Sequence, residues 1–339
     1  MNVNPPLTPP QQKPDDRILD LALRPLNFVE YVGQENIKTN LKVIIGATKK
    51  RKEPLEHILL HGPSGLGKTT LAYLIARELG TNLKTTSGTA LEKTGDVGSI
   101  LTSLNDGDVL FIDEVHRLNK AVEEVIYPAM ENFKLDIIIG KGSSAKTLQI
   151  DLPRFTLIAA TTKISLLSAP FRSRFGASFR LDFYKPEEIK DIITRSAKLL
   201  KVSLSPGAIG VLANAARSTP RVANRLLKRV RDFAQMKDLD TVDTEIAKKS
   251  LKMLEIDEKG LEETDRKILL TIADKFSGGP VGLKSIAASI SEEEGTIEDV
   301  YEPYLLQIGF MARTSKGRVI TSHGLKHLGL KSKEDSFEF

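Results

Sequence analysis

The sequence predicts an α/β fold: a parallel sheet covered by helices and built around a phosphate-binding loop, then a helical unit and a winged-helix unit. Three observations predict it. A glycine-rich loop at 61–70 stands between an apolar strand pattern and a helical pattern. Strand and helix patterns alternate up to about residue 184, and only helical patterns follow, to about residue 256. From residue 257 onward, three helical patterns precede a basic hairpin.

The loop at 61–70 reads HGPSGLGKTT, which is the spacing of a Walker A motif. Glycines such as Gly65 and Gly67 let successive backbone N–H groups turn toward an anion, and the helix N-terminus adds positive potential. We expect Lys68 to reach the β- and γ-phosphates and the Thr69 hydroxyl to ligate Mg²⁺. The alternative, a plain glycine-rich turn, does not explain why the glycines, the lysine and the threonine are all in register.

An apolar strand pattern ends in two carboxylates, Asp113 and Glu114. Following a Walker A motif, this is a Walker B pattern: Asp113 is placed to hold the hydration shell of Mg²⁺, and Glu114 to polarise an attacking water. A later buried strand ends in Thr161 and Thr162. A threonine there can hydrogen-bond the γ-phosphate or the lytic water; simple capping of the strand is the alternative.

Three arginines far from the loop are candidates for phosphoryl transfer. Arg172 and Arg174 lie between Phe171 and Phe175, and an arginine so placed can reach a neighbouring subunit's nucleotide. The alternative is that both are ordinary surface arginines. Arg221 follows a Thr-Pro pair that starts a helix, so it can point from a helix N-terminus toward a phosphate.

Two further segments suggest binding surfaces. Apolar runs at 135–139 and 147–150 flank a Gly/Ser/Lys turn and predict a hairpin, which either packs on its own domain or docks a partner. At the C-terminal hairpin, Arg313, Lys316 and Arg318 lie in a stretch, 303–333, with six Lys/Arg and no acidic residue. This one-sided charge favours contact with a nucleic-acid backbone without sequence readout; a winged helix used only for protein contacts is the alternative.

Composition sets limits on class and location. The chain has 339 residues, a formal charge of +5 and no cysteine, which excludes disulfides and thiolate metal sites and suits a reducing cytoplasm. No apolar run is long enough to span a bilayer and no signal-peptide pattern is present, so we expect a cytoplasmic protein with no membrane partner. We expect a disordered tail at 1–16, an ATPase domain at 17–184, a helical lid at 185–256 and a winged-helix head at 257–339.

The sequence resembles a known family over about residues 21–330, the RuvB family of AAA+ ATPases that drive branch migration of Holliday junctions. The resemblance rests on the following stretches: Leu23–Pro25, Tyr31–Gln34, the loop at 61–70, Thr85–Gly88, Leu110–Leu118, Glu123–Glu131, Thr219–Arg225 and Asp265–Lys267. It implies an AAA+ P-loop core with a parallel sheet, a helical lid and a winged-helix head. It also implies an ATP-driven DNA helicase that acts in homologous recombination and repair.

The resemblance implies roles residue by residue. Nucleotide contacts are implied for Leu23, Arg24, Gly65, Gly67, Lys68, Thr69, Thr70, Glu131, Asn132, Phe133, Arg174, Tyr184 and Arg221. It implies Mg²⁺ at Thr69 and Asp113, a sensor at Thr162 or the adjacent Thr161, and an arginine finger at Arg174, with Arg172 as second candidate. DNA contacts are implied for Arg313 and Arg318, beside Lys316. Homohexameric rings around double-stranded DNA at Holliday junctions are implied, with a RuvA-type partner docked on Ile138, Ile139, Leu148 and Ile150, and a RuvC-type resolvase as a further partner.

Proteins of other classes share parts of this pattern. A clamp loader shares the core but lacks the winged-helix end. An initiator ATPase, or a transcription regulator with an ATPase switch, is expected to bind a specific DNA sequence. A signalling GTPase is disfavoured because the segment Asn119–Val122 lacks the acid that reads guanine.

Overall fold

The computed structural model describes residues 22–139 and 146–330, and the side chains of all of these except 137–139, 146 and 147. The predicted tail at 1–16 lies outside the described residues. The chain forms two compact units that adjoin in sequence between Tyr184 and Lys185. None of the helices in the described part of the chain has the length and apolar content that crossing a membrane requires.

The first unit alternates helices and strands. Its helices are α1 (Glu35–Arg51), α2 (Lys68–Leu79), α3 (Thr94–Thr102), α4 (Lys120–Asn132) and α5 (Ala169–Arg172). Its strands are β1 (Ile58–His61), β2 (Leu83–Ser87), β3 (Val109–Asp113), β4 (Lys134–Ile139), β5 (Lys146–Asp151), β6 (Thr156–Thr161) and β7 (Ala177–Arg180).

Five strands form a parallel sheet in the order β2-β3-β6-β1-β7. The predicted α/β class with a parallel sheet is therefore confirmed. Because β6 pairs in parallel with both β1 and β3, the carboxyl ends of the three strands meet at one edge of the sheet. Loops that follow strands at such an edge are the usual ligand sites of open α/β sheets. The phosphate loop, the Asp113–Glu114 pair and Thr162 all follow these strands.

The predicted hairpin is present as the antiparallel pair β4 and β5. At its base, Leu135 is buried and Ile150 packs against the same apolar cluster as Phe155 and Met130. Further along the hairpin, Leu148 is 49% exposed. The base of the hairpin thus packs on its own domain, which is one of the two alternatives that the sequence left open, and the outer part presents an apolar side chain to solvent.

The second unit begins with four helices: α6 (Pro186–Leu200), α7 (Pro206–Ala215), α8 (Pro220–Met236) and α9 (Thr244–Met253). Two short strands, β8 (Ser203–Leu204) and β9 (Thr241–Val242), pair in parallel between them. The predicted helical segment is therefore confirmed, apart from these two short strands, which the helical pattern did not predict. At α8 the Thr219 hydroxyl accepts the N–H of Val222 and Pro220 takes the first helical position, where its missing N–H costs little.

The rest of the second unit is a winged helix. Its elements are α10 (Glu263–Leu270), α11 (Leu283–Ile290), α12 (Glu294–Thr296), α13 (Glu302–Gln307), β10 (Met311–Thr314), β11 (Gly317–Ile320) and α14 (Ser322–His327). π-helical turns extend α10 and α12, at Thr271–Lys275 and Ile297–Tyr301. The predicted basic hairpin is the antiparallel pair β10 and β11. Apolar side chains from α10, α11, α13 and both strands form one core.

Candidate nucleotide and DNA sites

The phosphate loop has the backbone that an anion site needs. Gly65 and Gly67 have φ values of 81° and 101°, which residues with a Cβ rarely adopt. Gly67 is the N-cap of α2 and brings no side-chain hydrogen bond to the first turn of the helix, where N–H groups and the helix dipole favour an anion. Lys68 is buried, and its Nζ lies 2.8 Å from the carbonyl oxygens of Gly62 and Pro63. The ammonium group is therefore held over the first turn of the loop.

Two tyrosines support the loop from behind. The Tyr184 hydroxyl donates to the Leu66 carbonyl at 3.2 Å and lies 3.2 Å from the Tyr31 hydroxyl. A Cβ on Gly67 would stand 2.8 Å from that Tyr31 oxygen, so only glycine fits there. Burial, and then the neighbouring Tyr184, raise the pKa of Tyr31 well above its ordinary value. Tyr31 therefore stays neutral and acts as a fixed structural partner of the loop.

The Walker B pair lies at the carboxyl end of β3. Asp113 Oδ1 accepts the N–H of Glu114, which has a left-handed backbone with φ 47°. Glu114 Oε2 accepts hydrogen bonds from the Thr162 N–H at 3.2 Å and the Thr162 hydroxyl at 3.0 Å. The same Oε2 lies 3.2 Å from Nδ1 of His116. The structure thus brings Glu114 and Thr162 together, as expected if both serve one reaction, although the sequence predicted no direct contact between them.

The expected Mg²⁺ ligands suit the ion chemically. Thr69 offers a hydroxyl at the second residue of α2, and Asp113 offers a carboxylate at the end of β3. Both are hard oxygen donors, and Mg²⁺ is usually held by one or two such side chains together with substrate phosphates and water. Thr69 lies in the helix that follows β1 and Asp113 is the last residue of β3, so both lie toward the same sheet edge.

Arg174 is anchored within its own unit. Its guanidinium pairs with Glu131 at 3.0 Å, lies 4.3 Å from the centre of the Tyr127 ring and donates to the Pro170 carbonyl. Arg172 is exposed at the end of α5. Of the two finger candidates, Arg174 is the one whose orientation is set by several contacts.

The three predicted nucleotide contacts after Met130 lie at the end of α4. Glu131 pairs with Arg174, Asn132 is exposed, and Phe133 packs edge-on against the rings of His57 and Phe155. Earlier in the chain Leu23 is buried and Arg24 is half-buried. In the second unit, Arg221 is exposed at the second residue of α8.

The arginines of the wing share one buried carboxylate. Arg313 Nε donates to Glu302 Oε1 at 2.9 Å, and Arg318 donates to both oxygens, at 3.1 and 3.0 Å. Burial acts to raise the pKa of Glu302, but the hydrogen bonds from the two arginines outweigh it, so that its pKa lies below the ordinary value. Arg313 is half-exposed and Lys316 is exposed, whereas the side chain of Arg318 is mostly buried and paired.

A second buried ion pair lies inside the second unit. Arg217, just before Thr219, donates to Asp265 from both terminal nitrogens, at 2.9 and 3.2 Å. Its guanidinium also lies 4.6 Å from the centre of the Tyr304 ring. Burial raises the pKa of Asp265 to about 6, against the attraction of Arg217. This contact ties the end of the helical bundle to the winged helix, and it gives a role to Asp265 in the motif Asp265–Lys267.

Three family models match this architecture in chain order. The model described as the Holliday junction DNA helicase RuvB P-loop domain matches residues 23–181, the RuvB AAA lid domain matches 184–257, and the RuvB C-terminal winged helix domain matches 258–329. The chain belongs to the RuvB family. Its fold is accordingly an AAA+ P-loop core with a helical lid and a winged-helix domain, and it is an ATP-dependent DNA helicase of this family.

Solved structures agree with this assignment. The chain is 51% identical to a Thermotoga maritima RuvB described as the Holliday junction branch migration motor, with a TM-score of 0.84; the match covers 92% of this chain and 99% of that chain. A mutant of Thermotoga maritima RuvB matches at 51% identity and a TM-score of 0.85, over 91% of this chain and 99% of that chain.

Sequence reasoning missed several residues that contact the predicted site residues. His116 lies in one of the stretches that resemble the RuvB family, but no role was predicted for it. The same holds for Tyr127 and Tyr31. Glu302 had no predicted role either. Each contacts a predicted site residue from a distant part of the chain or across a turn, and local sequence carries no signal for such a pair.

Proposed function

We propose that this RuvB-family chain works as homohexameric rings that use ATP and Mg²⁺ to drive double-stranded DNA through Holliday junctions. The main observation behind this proposal is that the Walker A loop, the Asp113–Glu114 pair and Thr162 lie at the ends of neighbouring parallel strands, at one edge of the sheet. This edge supports ATP hydrolysis, and family membership supports the junction as the DNA substrate.

The proposed chemistry assigns each group one task. Lys68 and the N–H groups of the loop bind the phosphates, with Thr70 beside them. Glu114 accepts a proton from the water that attacks the γ-phosphorus, while the bond to the bridging oxygen breaks and ADP leaves. Mg²⁺, held through Thr69 and Asp113, would neutralise phosphate charge when bound. Thr162 orients Glu114 and the water.

Arg174 is proposed to act on the nucleotide of an adjoining subunit. An arginine finger must present its guanidinium rigidly, because the charge that it stabilises exists only in the transition state. The pairing with Glu131 and the Tyr127 ring supports such a fixed presentation. Arg221, at the start of α8, is proposed as a second arginine that responds to the phosphates. The remaining nucleotide contacts are proposed for Leu23, Arg24, Glu131, Asn132, Phe133 and Tyr184.

The wing is proposed to contact the DNA backbone. Arg313 and Lys316 are exposed and offer cations to phosphates. Arg318 is held by Glu302, which supports a role in shaping the hairpin in addition to any contact with DNA. Contacts of this kind depend on charge rather than on base sequence.

The outer part of the β4–β5 hairpin is proposed to dock a RuvA-type junction-binding protein. The exposed Leu148 supports this, whereas Ile150 contributes by fixing the base of the hairpin on the core. Ile138 and Ile139 lie in β4, opposite Thr147 and Lys146, and their side chains are outside the described part. A RuvC-type resolvase is a further proposed partner, and the DNA substrate supports a cytoplasmic location.

The ATPase assignment is tested by mixing variants. Lys68→Ala should abolish ATP turnover, and Arg174→Ala should do so when assayed alone. Mixed rings should recover part of the activity, because a Lys68→Ala subunit can lend its Arg174 to an intact phosphate loop. Normal turnover by Lys68→Ala would overturn the site, and no recovery on mixing would contradict the finger in trans.

The DNA assignment is tested with a synthetic four-way junction. We expect ATP-driven dissociation of the junction, stimulated by a RuvA-type protein. Reversing the charges of Arg313 and Lys316 should weaken binding equally at unrelated sequences and flatten its salt dependence. Unchanged binding would refute the wing contact, and preference for one duplex sequence would favour an initiator.

A further inference from the structure

We propose that His116 is a positioning residue for Glu114: it holds the carboxylate by Oε2 so that Oε1 is presented to the attacking water. The inference rests on the proposed function, in which Glu114 accepts the proton of that water. His116 lies in a short 3₁₀ turn, Val115–Arg117, directly after the Walker B strand.

All of the hydrogen bonds recorded for the Glu114 side chain converge on one oxygen. Oε2 accepts hydrogen bonds from the Thr162 N–H and the Thr162 hydroxyl, and it lies 3.2 Å from His116 Nδ1. A carboxylate only accepts hydrogen bonds, so the His116 contact is attractive only when Nδ1 carries a proton. With Thr162 and a protonated Nδ1 on Oε2, the other oxygen is left to accept the proton of the water.

Two oxygens from different elements face Nδ1 of His116. Nδ1 is 2.9 Å from the Thr161 hydroxyl oxygen, which also accepts the N–H of Lys163 at 3.0 Å. Thr161 is fully buried at the end of β6, so the position of its oxygen is fixed. In the proposal Nδ1 carries the proton and faces both this oxygen and Glu114 Oε2, and His116 thereby links the β6 strand end to the Walker B turn.

The backbone of Glu114 is fixed independently of its side chain. Its left-handed φ is held by the hydrogen bond from the Arg117 N–H to its carbonyl, at 2.9 Å. Gly88 packs against the same carbonyl so closely that a Cβ there would stand 2.4 Å from the oxygen. Because the main chain of Glu114 is fixed, the rotamer of its side chain depends on the contacts with Thr162 and His116. A displacement of about 1 Å in a catalytic group can lower the rate about 100-fold, so a shift of the Glu114 carboxylate should be visible as lost turnover.

Three substitutions at one position separate positioning from packing. His116→Asn places an amide N–H close to where Nδ1 stands, His116→Gln places it near the far ring nitrogen, and His116→Leu removes the donor. We expect His116→Leu and His116→Gln to lower the kcat of DNA-stimulated ATP hydrolysis about 10- to 100-fold with an unchanged Kd for a fluorescent ATP analogue. His116→Asn should stay within about threefold of the wild type. Normal turnover by His116→Leu, or equal loss in Asn and Gln, would overturn the inference.

A double variant shows whether His116 acts through Glu114. Glu114→Gln should abolish most turnover, and adding His116→Leu should then cost nothing further, because residues that act as a unit are not additive. A further loss in the double variant would indicate a merely structural role and contradict the proposal. Turnover at the wild-type rate by Glu114→Gln would instead overturn the proposed function of Glu114, whatever the His116 variants show.

Discussion

The ion pair between Arg217 and Asp265 allows a quantitative test. Arg217→Met removes two hydrogen bonds to the fully buried carboxylate of Asp265. The backbone N–H of Glu262 remains as a donor to that carboxylate. Breaking a buried pair from one side costs about 3–5 kcal/mol of unfolding free energy. In a folded body of about 150 residues, each kcal/mol shifts the Tm by about 2–4 °C, so the transition of the second unit should fall by about 6–20 °C.

Differential scanning calorimetry of the full chain measures this shift, and the chain offers a matched control. Arg225 pairs with Glu262 at 2.6 Å in the same unit, but the two side chains are 52% and 37% exposed. Arg225→Met should therefore cost less than about 1 kcal/mol. Replacing both buried partners, as Arg217→Met with Asp265→Leu, should recover most of the loss because no charge remains buried. Equal shifts for the two arginine variants would refute the reasoning.

The same pair predicts a dependence on pH. The pKa of Asp265 is about 6 in the folded chain, against an ordinary value of 3.8. Between these values the folded state holds a proton that the unfolded state has released, so the stability contributed by protonation is present at low pH and is lost as the pH rises toward 6. The unfolding free energy of the wild type minus that of Asp265→Asn should fall by about 3 kcal/mol from about pH 3 to about pH 7. A flat difference would contradict the raised pKa.

Two further predictions concern the active site and the wing. Gly88→Ala should lower the kcat of ATP hydrolysis about tenfold or more with little change in nucleotide affinity, because its Cβ would displace the Glu114 carbonyl. Gly95→Ala is the control, because a Cβ at that position meets nothing within 4 Å. Equal effects of the two substitutions would contradict the steric argument. Glu298→Gln should raise affinity for duplex DNA about two- to fivefold at low salt, because Glu298 pairs with Arg313 at 3.4 Å and repels phosphates. A fluorescence-anisotropy titration checks this, and weaker binding would refute it.

Local pattern predicted most elements and the two nucleotide motifs. The three helical patterns before the basic hairpin are confirmed as helices, and the parallel sheet places the Walker A loop and the Asp113–Glu114 pair at one edge. These features are set by residues close in sequence: apolar periodicity, glycines at positive φ and carboxylates at a strand end. The first of the three predicted helices of the winged-helix unit is present as α10, but it changes to a π-helical turn after Leu270, a detail that periodicity does not specify.

By itself the sequence determined which groups carry the chemistry, because a phosphate loop and a strand ending in two acids need only a few adjacent residues. Only the tertiary structure decided which side chains contact those groups: Thr162 on Glu114, Glu131 on Arg174, and the acids that pair with Arg217 and Arg313 in the second unit. The reason is physical. A contact between residues far apart in the chain depends on strand order, register and burial, and none of these leaves a signal in the neighbouring sequence.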